Sequence, residues 1–186
     1  MALRHRVEDG IAESTLHLLR TGGPPRAVTV EAVAAHSGIA KKTTIYRRHP
    51  NRRDMLSSAL SAVASPEPLN PDTEAADQLR WLIHHAVETI DSGIGFGGLA
   101  AMMTDDDPEF TEVFRSILAG QRAELSGVID SAKKASGSMR ADIDNATLID
   151  AIVGAYIAER ARTGQVAAGW DERVFDLVWP AVEAGR

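Results

Sequence analysis

The sequence predicts an all-α chain: a small three-helix head built around a helix-turn-helix, followed by a C-terminal helical bundle. Three observations predict it. Apolar residues recur three and four positions apart along most of the chain, the spacing with which a helix buries one face. No segment alternates apolar and polar residues as a half-buried strand does. Charge is divided unevenly. Residues 1–56 carry ten Lys/Arg and five acids, net +5, whereas the rest of the 186-residue chain carries −11, within an overall −6.

The elements follow in order. Val7, Ile11, Ser14/Thr15, Leu18 and Leu19 form the stripe of a first helix over 7–19, which Gly22-Gly23-Pro24-Pro25 ends. Thr29 is a good N-cap for a second, short helix carrying Val33 and Ala34, and Gly38 sits where a tight turn needs a positive φ. A third helix is predicted over 41–48, stopped by Pro50. Asn51 then caps a fourth over 52–64. Three prolines in 65–71 mark a linker, dividing the chain into domains 1–64 and 65–186. Beyond it, a long amphipathic helix is predicted over 72–92, then a loose glycine-rich join at 93–98 and a short helix over 99–104. Asp105-Asp106-Asp107-Pro108 reads as the cap and start of a helix over 109–135. A turn at 136–140, the most apolar helix over 142–163 and a last helix over 171–182 complete the chain.

Composition excludes several chemistries. The chain has no cysteine, hence no disulfide, cysteine–zinc site or thiol nucleophile. No stretch reaches the ~20 apolar residues of a membrane span. The N-terminus has no apolar leader segment. A soluble, cytoplasmic protein is expected. His84, His85 and Glu88 fall within about one helical turn, but no further ligand stands at a sensible spacing, so no metal and no cofactor is expected. No Ser/His/Asp set can be assembled with geometric warrant, and no catalytic residue is assigned.

The basic head carries the chemistry. A helix lying in the major groove must donate hydrogen bonds and meet phosphate charge from its outer face while an apolar residue anchors its inner face. Lys41, Lys42, Thr43, Thr44, Tyr46, Arg47 and Arg48 supply the former and Ile45 the latter. The strings Thr29-Val-Glu-Ala-Val-Ala-Ala-His-Ser-Gly38 and Thr44-Ile-Tyr46-Arg-Arg-His-Pro-Asn-Arg52-Arg-Asp-Met-Leu56 resemble the DNA-binding signature of the tetracycline-repressor (TetR) family. The resemblance covers about residues 7–60. Two departures stand out: Gly38 to Tyr46 is one residue longer than usual in that signature, and Arg52 replaces the more usual Lys. The resemblance implies phosphate contacts from Thr29, Tyr46 and Arg52. It further implies DNA contacts from Lys41, Lys42, Thr43 and Thr44, with Arg47 beside them, and a brace at the end of the recognition helix from His49. The implied partner is double-stranded DNA bearing a palindromic operator, and the implied role is that of a regulator, most often a repressor, and not an enzyme.

The body is read more coarsely. Trp81, His85, Phe96, Met102, Met103, Phe110 and Phe114 are candidate linings of a cavity for a small-molecule effector, since helical bundles commonly hold ligands between helices. Ile149, Ile152, Val153, Tyr156, Val174, Phe175, Val178 and Trp179 offer more apolar surface than one intramolecular seam needs. A homodimer through the last two helices is therefore expected, the arrangement the resemblance also implies.

Overall fold

Capping chemistry sets most of the helix starts. The computed structural model describes residues 2–21, 23–38, 42–64, 69–70, 73–135 and 138–184. Helix α1 (Ala2–Thr21) buries Ile11, Ser14, Thr15, Leu16 and Leu19. Its buried Thr15 hydroxyl donates back to the Ile11 carbonyl at 2.8 Å, which satisfies that group inside the core. A single turn at Pro25–Ala27 leads to α2 (Val30–His36), where the Thr29 hydroxyl accepts from the Ala32 N–H at 3.1 Å. Gly38 has φ +66, the left-handed conformation its place in the turn demands. Then come α3 (Lys42–Tyr46) and α4 (Arg52–Ala64), the latter capped by Asn51 Oδ1 accepting from the Asp54 N–H at 2.8 Å.

Two corrections concern the middle of the chain. The helix predicted over 72–92 is α5 (Ala75–Glu88), and it passes into a wider π-type stretch over Thr89–Ile94. The widening is explicit in the Gly95 N–H, which donates to the Ile90 carbonyl five residues back. The Ser92 carbonyl accepts from the Arg20 guanidinium of α1. The glycine run predicted as a loose join is helical: α6 spans Gly95–Thr104. Gly98 explains why glycine stands there. A Cβ at that position would lie 2.7 Å from the Ile94 Cβ, so the junction closes only around a bare Cα.

Asp107 caps α7 (Pro108–Ala135), its carboxylate accepting from the Phe110 N–H at 3.1 Å, with Pro108 at the first helical position where its missing N–H costs nothing. Helix α8 (Asn145–Thr163) starts three residues later than predicted because Asp144 is its cap, accepting from the Thr147 N–H at 2.8 Å. Helix α9 (Trp170–Val182) is the last. An unanticipated β-bridge pairs Met139 with Glu183, and the Arg140 N–H donates to the Val182 carbonyl at 2.8 Å. Among the described residues no helix is long and apolar enough to cross a membrane.

The chain packs as two units, Met1–Ser65 with Glu88–Ala119, and Pro66–Val87 with Gly120–Arg186. The linker predicted at 65–71 lies, apart from Leu69 and Asn70, outside the described residues. In the first unit α1 packs on α4, α2 and α6, with Ile11, Val33, Ile45, Leu56, Phe110 and Phe114 fully or almost fully buried. In the second, Leu79 and Leu82 of α5, Val128, Ile129 and Ala132 of α7 and Met139 line one small apolar hollow. Gln121 donates to the His85 carbonyl at 2.9 Å, Arg122 pairs with Asp150 of α8 at 2.6 Å, and Arg80 lies 3.7 Å over the Phe175 ring of α9.

Candidate nucleic-acid interface

Helix α3 has only five residues, too few to be stable alone, so tertiary contacts must hold it. Ile45 does so with no exposed surface. The other side of the helix faces water: Thr43 is exposed, Thr44 half-buried, Tyr46 42 % exposed and Arg47 exposed. Lys42 begins the helix; Lys41 lies outside the described residues. Among the described residues the Arg47 guanidinium makes no hydrogen bond or ion pair, and neither does that of exposed Arg26. Four predicted DNA-contact residues, exposed Thr43, Tyr46 and Arg47 and half-buried Thr44, thus share one short segment.

The remaining predicted residues are placed differently. The Thr29 hydroxyl serves as the α2 cap. The Tyr46 hydroxyl donates to Glu31 Oε1 at 2.9 Å, and this bond, with the charge of Glu31, pushes the phenol above its ordinary range. Arg48 turns inward to pair with Glu8 of α1 at 2.5 Å, tying the end of α3 to the first helix. His49 is 9 % exposed and its N–H donates to the Ile45 carbonyl at 2.8 Å, closing the helix end.

Burial holds the His49 imidazole below the ordinary histidine value, outweighing the attraction of Asp54 and Glu8, while Arg48 adds to the depression. A histidine depressed in the folded state disfavours folding once the unfolded chain would take up a proton. Its neutral form therefore supports the head fully above about pH 6.5, and that support is lost as pH falls below this value toward the lowered folded pKa. The melting temperature of the wild type is expected to drop between pH 7.5 and 5.5 more steeply than that of His49→Gln. Parallel curves would show that His49 does not titrate with folding.

Arg52 is the most heavily bonded side chain of the head. Its Nε donates to the Val28 carbonyl at 2.8 Å, and Nη2 donates to the Pro25 carbonyl at 2.8 Å and to Asp107 Oδ2 at 2.6 Å. Its Nη1 donates to Asp107 Oδ1 at 3.3 Å and to Glu109 Oε2 at 2.6 Å. Burial alone would lower its pKa, but Asp107 and Glu109 outweigh that and raise it. Next to it, exposed Arg53 makes a two-pronged pair with Glu112 at 2.8 and 2.9 Å. Sequence reasoning missed these acids. Asp107 was visible only as a helix cap, and nothing local links positions 52 and 107.

The candidate effector residues fall in both units. Trp81 and His85, ring centroids 4.4 Å apart, lie on α5 in the second. Phe96, Met102, Met103, Phe110 and Phe114 lie in the first. There Phe110 and Phe114 stack, 5.8 Å apart and fully buried, while Met103 is 71 % exposed. Of the candidate dimer residues, Ile149, Ile152, Tyr156, Val174 and Phe175 are buried within the protomer, and Val153, Val178 and Trp179 are half-buried. Exposed Leu177, not among the candidates, is the large apolar residue that α9 presents to water.

The backbone matches solved structures along almost its whole length. One is assigned as a TetR-family transcriptional regulator from Rhodococcus sp., at TM-score 0.70 and 15 % identity, covering 94 % of this chain and 97 % of that one. Another is a TetR transcriptional regulator from Agrobacterium tumefaciens, at TM-score 0.65 and 14 % identity, covering 96 % and 95 %. The chain has the TetR fold. No protein-family model matches the sequence, and no curated protein does. At such identity the TetR likeness speaks to the path of the backbone. The solvent-facing chemistry of α3 is this chain's own.

Proposed function

We propose that the chain is a DNA-binding transcriptional regulator of the TetR type, with a reading head in 1–64 and a sensing and dimerising body in 65–186. The observation that carries this reading is the five-residue α3, anchored by Ile45 and presenting Thr43, Thr44, Tyr46 and unpaired Arg47 to water. That composition suits hydrogen bonding to base edges and phosphates in a major groove. The basic head on an acidic body supports the same orientation, because only the head attracts a polyanion. In the proposed mechanism Lys41, Lys42, Thr43, Thr44, Tyr46, Arg47 and the end of α2 at Thr29 meet DNA, and His49 braces them. Two copies in a homodimer place their heads about 34–36 Å apart on a palindromic operator. A small molecule bound in the body, near residues such as Trp81, Phe110 or Phe114, favours another spacing of the heads and releases the DNA, so the usual output is repression in the cytoplasm.

Genomic fragments captured by the protein and then footprinted provide the test. Enrichment of a fragment with a protected palindrome is expected. Lys42→Ala with Arg47→Ala should weaken binding at least tenfold and lower the slope of log affinity against log salt by about two, one per lost phosphate charge. Wild-type capture no better than that of the double variant would remove DNA from the reading and favour an acidic protein partner for the basic head.

A further inference from the structure

We infer that Arg52 is a positioning residue that locks the helix-turn-helix to the start of α7, and that it does not contact DNA phosphate. A guanidinium has five N–H donors. At Arg52 all five are used: one on Val28, one on Pro25, two on Asp107 and one on Glu109. The carbonyls of Pro25 and Val28 belong to the turn that leads into α2. Arg52 itself opens α4, and Asp107 and Glu109 open α7. One side chain therefore pins three segments of the first unit. Its side chain is 18 % exposed and that of Asp107 is 8 % exposed, so the pair sits where water screens it poorly. Asp107 is held in turn from the other side by the Phe110 N–H that it caps. A phosphate could reach Arg52 only by displacing a carboxylate already seated on it. The neighbouring Arg53–Glu112 pair repeats the connection on the surface. Together these acids cancel the charge of the α4 start and, among the described residues, leave exposed Arg47 and Arg26 as cations of the head without a bonded partner. The role of the lock in DNA binding rests on the reading above; the lock itself does not.

The two roles predict opposite signs for one substitution. Asp107→Asn keeps a capping side chain at the α7 start but removes the charge that holds Arg52. If Arg52 were a phosphate contact, this variant would free a cation, remove a nearby anion and bind duplex DNA more tightly. As a lock, its loss misplaces the helix-turn-helix, and affinity falls. The experiment measures binding of wild type, Asp107→Asn, Arg52→Met and the milder Arg52→Lys to a random-sequence duplex of ~30 base pairs across a salt series, together with their melting temperatures. Asp107→Asn and Arg52→Met are each expected to weaken binding at least fivefold with an unchanged salt slope. Each should also lower the melting temperature by about 5 °C or more, and the double variant should melt no lower than the worse single one. Tighter binding by Asp107→Asn, or a slope reduced by about one in Arg52→Met, would overturn the inference. So would additive melting shifts. Should the wild type bind no duplex at all, the DNA reading fails alone, and non-additive melting of the Arg52 and Asp107 variants still establishes the lock.

Discussion

Ile45→Ala is expected to destabilise the head by roughly 2–5 kcal/mol, the range for truncating a fully buried aliphatic side chain, and to abolish DNA binding under conditions where the wild type binds. The effect should be large because α3 has so little else. It spans only Lys42–Tyr46, and of its described side chains Ile45 alone is buried. A helix this short has no intrinsic stability to fall back on. Losing the anchor should release Tyr46 and Arg47 along with it, and the Arg48–Glu8 pair that follows. Thr44→Ala, one residue away and half-buried, should change stability by less than about 0.5 kcal/mol, as is usual for surface changes. Urea unfolding of the two variants provides the comparison, with amide exchange over 42–49 as the local readout. If Ile45→Ala unfolds at the wild-type midpoint, something other than this side chain holds α3 in place.

The contrast between those neighbours marks what a single sequence reveals. Thr29, Asn51 and Asp107 were readable as caps, and Gly38 as a turn, because each interaction closes within a few residues. Ile45 was readable as an anchor because a lone apolar residue in a polar helix has one sensible direction. Arg52 was not readable. Its charge suggested phosphate, while the carboxylate that claims it comes from 55 positions away. The glycines at 93–98 misled for a related reason. Low helix propensity argues for a loop, yet the close approach of Ile94 to Gly98 makes glycine a requirement of the helix there. Hydrophobicity in α8 and α9 pointed to a dimer seam at Ile149, Ile152, Tyr156, Val174 and Phe175, and these five are buried inside the protomer. What it could not signal was the partner, and all five are covered by their own chain.

A dimer is therefore better tested at Leu177 than at Trp179. Trp179 stacks on Phe175 at 5.7 Å within the protomer, so a charge there would disturb the fold as well as any interface. Leu177 is 77 % exposed, and Leu177→Asp should leave the isolated protomer intact. Around it α9 also exposes Pro180 and Ala181, with Val178 half-buried. On α8 the residues Ala151, Gly154, Ala158 and Ala161 recur at three- and four-residue spacing and are all exposed, with Val153 and Ile157 half-buried beside them. Small side chains allow two helix backbones to approach closely, and a leucine on a neighbouring helix supplies an apolar knob. In an isologous interface each substitution acts twice, because the two-fold axis brings both copies of the changed residue into it. An aspartate at 177 would then bury two unpaired carboxylates, each costing several kcal/mol. Leu177→Asp is expected to sediment as a monomer at micromolar concentration with an unchanged melting curve for the protomer, and to lose operator affinity that depends on both heads. A wild type that already sediments as a monomer would mean that the head binds DNA singly. A Leu177→Asp protein that remains dimeric would place the interface on another face of the body.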